Sequence, residues 1–125
     1  MNIVQVIQNA FPDAMNESSI SDEAIQQNES LMEIEGTPDY LKYVPAYMLW
    51  CIRNKDNYDQ LVTDYTIDAI ANFGRSKIEH NNHFNFRYRC NAEQRSAVAS
   101  FLRWCLENLT IVDEEQIKRS IKYWI

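Results

Sequence analysis

Apolar residues along the chain recur mostly three and four positions apart. Ile3, Val6, Ile7 and Ala10 follow that spacing, and Phe11-Pro12 closes the segment because Pro disfavours α geometry in the residue before it. A first helix is expected over about 2–11. Ser21 stands where it can cap a second, expected over about 22–33, with Asp22 and Glu23 in the first turn and Ile20 and Ile25 at staple positions. Gly36-Thr37-Pro38 breaks the pattern. Thr37-Pro38-Asp39 then suits a short helical turn carrying Tyr40, Leu41 and Tyr43, and Pro45 fits the first position of a new helix, where its missing N–H costs nothing.

Ala46 through Ile52 is apolar on every side, as expected for a helix through the middle of a core. After Asn54-Lys55-Asp56-Asn57, the stripe Tyr58, Leu61, Val62, Tyr65, Ala69, Ile70 and Phe73 predicts a further helix with Gly74 as its C′ stop. Within 75–91 the pattern changes. His83 through Arg89 alternates at period two, placing Phe84, Phe86 and Tyr88 on one side of an extended segment, for which a short strand, an ordered loop and a minor hairpin all fit. The clearest helix spans 92–109: Asn91 and Gln94 form a capping-box pair, and Val98, Phe101, Leu102, Cys105, Leu106 and Leu109 make the stripe. Asp113 and Gln116 repeat the box before Ile117, Ile121 and Trp124, and Lys118, Arg119 and Lys122 lie towards the C-terminal end.

The expected fold is therefore all-α, a compact bundle of five to six helices with at most a minor extended segment near 83–90. With 125 residues, 46% of them apolar, the chain is the size of one ordinary domain, and a single helical domain over 1–125 is expected. Two Gly and three Pro are too few for a many-stranded sheet with tight turns. No run reaches the roughly 18 to 20 apolar residues of a membrane span, and Met1 to Gln5 lacks the basic start of a signal peptide, so a cytoplasmic protein without membrane contact is expected.

Charge is unevenly placed. Residues 1–41 hold eight acids (Asp13, Glu17, Asp22, Glu23, Glu29, Glu33, Glu35, Asp39) and no Lys or Arg, whereas 42–125 hold ten acids and twelve bases. An acidic surface repels nucleic acid and anionic lipid and speeds encounter with a basic protein.

Candidate chemistry is sparse. His80 and His83 have an HxxH spacing, but no third ligand is evident and Asn81-Asn82 argues for a loop, so neither a metal nor another cofactor is expected. Cys51, Cys90 and Cys105 lack CxxC pairing and read as buried thiols. There is no GxSxG elbow, and two glycines, Gly36 and Gly74, cannot build a phosphate cradle. Asp64 and Asp68, one turn apart, can share a helix face as a solvated stripe or a carboxylate pair. Arg75, Lys77, Arg87, Arg89 and Arg95 interleave with aromatics as in single-strand binders, yet the net charge of −6 opposes nucleic acid. Pairing of those arginines with the acidic third is the expectation.

Two local patterns, Tyr43-Val44-Pro45-Ala46-Tyr47-Met48 and Glu93-Gln94-Arg95 with Val98 and Phe101-Leu102, resemble a family of small bacterial proteins of unknown function. That family carries an aromatic-x-Pro-Ala-aromatic-Met/Leu core segment before a Gln-Arg-x-x-apolar-x-x-Phe-Leu helix. The resemblance covers about residues 38–108 and implies a small helical bacterial protein, with no catalytic residue to carry over.

The function expected is a non-catalytic protein-binding module. Its most concrete form is an immunity protein or antitoxin that neutralises a basic toxin, a nuclease for example, through Asp13, Glu17, Asp22, Glu23, Glu29, Glu33 and Glu35. Size, acidity and lack of chemistry suggest this by analogy of character. The alternative is a regulator or small enzyme whose pocket is lined by Tyr40, Tyr43, Tyr47, Trp50 and His83. A third possibility is self-association through an exposed face of Trp104, Tyr123 and Trp124.

Overall fold

A computed structural model describes residues 2–12, 20–36, 38–57, 59–77 and 85–125, and among them every regular element is a helix. These are α1 (Ile3–Ala10), α2 (Asp22–Gln27), a 3₁₀ turn (Leu31–Glu33), α3 (Tyr40–Arg53), α4 (Val62–Arg75), α5 (Phe86–Arg89), α6 (Ala92–Asn108) and α7 (Glu114–Trp124). The all-α expectation holds, with seven α-helices among the described residues against the five or six expected.

Helix starts are set by side-chain caps where the sequence places them. Asn2, Ser21, Asp39, Asn91 and Asp113 each accept a backbone N–H in the first turn of the helix that follows. Asn91 and Gln94 form the full reciprocal box, at 2.8 and 2.9 Å. The second box is only half formed. Asp113 accepts the Gln116 N–H, but the Gln116 amide turns away and donates to Asp68 at 2.7 Å, joining α7 to α4.

Four local expectations are corrected. The second helix ends at Gln27, six residues short of the expected end, because Asn28 caps it and the Tyr47 hydroxyl takes the Asn28 carbonyl at 2.6 Å. Leu31–Glu33 forms the separate 3₁₀ turn. Pro45 does not begin a helix but lies inside α3, which starts at the Asp39 cap, so one carbonyl of its first turn lacks the usual i+4 donor. Gly74 is not a C′ stop; it lies within α4, buried, where a Cβ would meet Trp124 Nε1 and Tyr123 Cβ at 2.9 Å each. Residues 86–89 form a helical turn rather than an extended segment: Phe86 is buried and Tyr88 is exposed, so they do not share a face. Phe84 lies outside the described residues.

The five longer helices close a circuit. α1 packs on α6, α6 on α7, α7 on α4, α4 on α3 and α3 back on α1. One contiguous cluster of buried apolar side chains draws on every helix, with α3 contributing Val44, Tyr47, Met48, Leu49, Trp50 and Cys51. α2 leans on α3, and the 3₁₀ turn and α5 fill gaps against α3 and α4. Phe86 is the plug, its ring lying 6.5 Å from Phe11, 5.5 Å from Phe73 and 5.8 Å from Trp124.

α4 and α7 run in the same direction, since Gln116 near the start of α7 meets Asp68 in the middle of α4 and Trp124 meets Gly74 near the ends of both. Parallel helices set like dipole ends side by side, which carboxylates at the starts and cations at the ends offset. The sequence supplies both: Asp64, Glu114 and Glu115 in the first turns, Arg75 and Lys122 in the last.

Candidate functional site

Part of the charge of the acidic third is engaged by partners within the fold. Asp22 bonds Arg53 at 2.7 Å, tying the start of α2 to the end of α3. Glu29 accepts the Leu61 N–H at 2.7 Å and so serves as a remote cap for α4, whose own N-cap residue offers no side-chain acceptor. Asp39 caps α3 and pairs with Arg89 at 3.3 Å. Glu23, Glu33 and Glu35 are exposed and have no partner among the described residues. Asp13 and Glu17 lie outside those residues.

The basic-aromatic cluster is largely occupied inside the fold. Arg87 donates to the Tyr123 carbonyl at 2.7 Å, closing the end of α7, and its guanidinium lies 5.5 Å from the Tyr88 ring centre. Arg95 donates to the Cys90 carbonyl at 2.7 Å and Arg75 to Asn72 at 2.5 Å. Of the expected pairings with the acidic third, only Arg89 with Asp39 forms among the described residues, while Arg75, Arg87 and Arg95 turn to the partners above.

The aromatic residues weighed as a pocket are core. Tyr40, Tyr47 and Trp50 are at most 3% exposed, and the two hydroxyls donate to the carbonyls of Leu31 and Asn28. Burial raises Tyr40, and with its tyrosine neighbours pushes Tyr47 up to about 12. Tyr43 is half-buried, and His83, with the HxxH pair, lies outside the described residues. The three-aromatic face is not assembled either, because Trp124 is buried against Gly74 and only Tyr123 is exposed, with Trp104 half-buried and stacked on Phe101.

Cys51, Cys90 and Cys105 are buried free thiols, as expected. Burial pushes Cys51 up to about 11, Cys90 to about 12 and Cys105 higher still, so none is a poised nucleophile. Among the described residues no three His, Cys, Asp or Glu side chains gather as a metal-binding group, and no helix is long and apolar enough to cross a membrane.

A feature not foreseen in the sequence lies between the starts of α4 and α7. A pocket of about 140 Å³ runs from Lys55 and Leu61 to Leu109 and Val112. It continues past Asp64 and Val112 into an open trough of about 300 Å³ beside Asp68, Asp113 and Gln116. Three apolar residues stand exposed at this end of the molecule, Leu61 at 47%, Tyr65 at 39% and Ile111 at 72%. Partial desolvation at the groove wall, then the neighbouring Asp68 charge, raises Asp64 above the ordinary carboxyl value. Neither Asp64 nor Asp68 has a cationic partner among the described residues. Glu29 borders the groove through Leu61, so the acidic third and the groove meet. The one sequence signal was the Asp64–Asp68 spacing; the opposing wall, 109–116, is far along the chain.

No curated protein and no solved structure matches the chain. A family of unknown function, DUF6714, matches it over residues 8–125, which takes in every helix from the end of α1 to α7, and the chain belongs to that family.

Proposed function

We propose that this protein is a non-catalytic protein-binding module whose acidic surface receives a basic protein, most concretely as an immunity protein or antitoxin that neutralises a basic toxin. The observation that carries the reading is the trio Glu23, Glu33 and Glu35, exposed and without a partner among the described residues, on an N-terminal third that has no Lys or Arg. Asp22 and Glu29, engaged by Arg53 and the Leu61 N–H, contribute field rather than direct contact. The buried, raised thiols supply no activated nucleophile beside it.

The test is affinity capture with the tagged protein from the native cell, in low and then high salt, followed by mass spectrometry. One stoichiometric basic protein released by salt is expected. With that protein in hand, Glu23, Glu33 and Glu35→Lys together should slow association by about tenfold at low salt and leave dissociation little changed. An empty bait, or association unaffected by the triple reversal, removes the proposal.

A further inference from the structure

The groove between α4 and α7 has features that its structural duties do not explain. Asp113 is accounted for as the α7 cap, and one oxygen of Asp68 by Gln116. Asp64 and Asp68 nonetheless stand one turn apart on a common face, like charges that repel, with neither in an ion pair among the described residues. Beside them Ile111 and Leu61 leave much of their apolar surface in water next to a formed pocket, an arrangement that covering would relieve.

Resting on the protein-binding reading above, we propose that this groove is the docking site for a basic amphipathic segment of the partner. An apolar side chain seats against Leu61, Ile111 and Val112, and a Lys or Arg reaches Asp64 and Asp68. Charge complementarity selects this occupant. Three carboxylates line the groove against one cation, Lys55, so the helix starts are already compensated and an anion is disfavoured. A helix with apolar residues at i and i+4 and cations between them matches a groove walled by two helix starts. Glu29, held against Leu61, brings the acidic third to the edge of this site.

The probe is a synthetic Leu/Lys amphipathic helical peptide added to the ¹⁵N-labelled full chain. One control peptide has Ser for Leu, and another has Glu for Lys. Amide shifts centred on Leu61, Asp64, Ile111, Val112 and Gln116 are expected with the Leu/Lys peptide. Ile111→Ser, or Asp64→Asn with Asp68→Asn, should weaken its binding by about tenfold, while the Ser/Lys peptide binds more weakly and the Leu/Glu peptide not at all. All three substitutions are at exposed positions, and an unchanged far-ultraviolet circular dichroism spectrum verifies folding of the variants.

Shifts centred on Glu23, Glu33 and Glu35 with the groove amides unmoved overturn the groove and leave the acidic-face reading standing. Equal binding of the Ser/Lys peptide, or no binding of the Leu/Lys peptide, overturns it as well. A dimer in sedimentation that Ile111→Ser dissolves assigns the groove to a second copy instead. Groove-centred binding together with an empty bait in the capture experiment upholds the groove chemistry while removing the proposed cellular role.

Discussion

Single residues show how burial and backbone geometry make different demands on the same amino acid. Gly36 has φ of +86° and open space around it, so Gly36→Ala meets only backbone strain, about 1–2 kcal/mol. At Gly74 the backbone is ordinary helix, but an added methyl drives into Trp124 and Tyr123, and Gly74→Ala should cost about 1–3 kcal/mol in urea unfolding. A Gly74→Ala as stable as the parent would mean that Trp124 does not lie across this helix. Asp64 supplies a second measurement at this scale. Its carboxyl should titrate above the ordinary aspartate value in ¹³C spectra, and Asp68→Asn should move it part of the way back, leaving the larger contribution of burial. For a raised carboxyl, the stabilising contribution is present below the ordinary value and is lost as pH rises through the raised one.

At the level of elements, caps and plugs decide where helices lie. The Asn91–Gln94 box starts α6, and Asn91→Ala should cost about 1 kcal/mol. α5 is only four residues long, too short to hold itself, and is held by Phe86 among Phe11, Phe73 and Trp124. Phe86→Ala should therefore cost about 3–5 kcal/mol, while Tyr88→Ala, removing an exposed ring that touches Arg87, should cost less than about 1 kcal/mol. Equal losses from the two would favour the extended segment read from the alternation. That alternation misled because period two is also what a short helical turn leaves when only one of its aromatics faces inward.

The whole molecule is a ring of helices with its thiols inside and uneven charge outside. Cys51, Cys90 and Cys105 should resist a thiol reagent in the native protein and react together on unfolding, since each is buried and harder to ionise than a free thiol. The same shifts make stability fall in alkali. These thiols contribute fully below the unfolded value of 9.0, and their contribution is lost as pH rises towards about 11 for Cys51 and about 12 for Cys90; Tyr47 adds to the loss from 10.0 towards about 12. Unfolding midpoints in urea measured from pH 8 upwards should decline through that window. A flat profile would indicate that these groups stay accessible to water.

Local chemistry was legible because it acts within a few residues. Stripes at helical spacing, the caps at Ser21, Asn91 and Asp113, and the inert cysteines all follow from neighbours along the chain. The run of carboxylates without Lys or Arg marks the acidic third along the chain but does not show which of them find partners across the fold. Asp22 is taken by Arg53, 31 residues away, and Glu29 by Leu61, 32 away. Only tertiary structure decided those partnerships, the burial of Gly74 under Trp124, and the groove, whose walls are joined by the Gln116–Asp68 bond across 48 residues. Periodicity fixes which side of a helix turns inward. The neighbour met there, and the space left between two helix starts, depend on how helices remote in sequence pack.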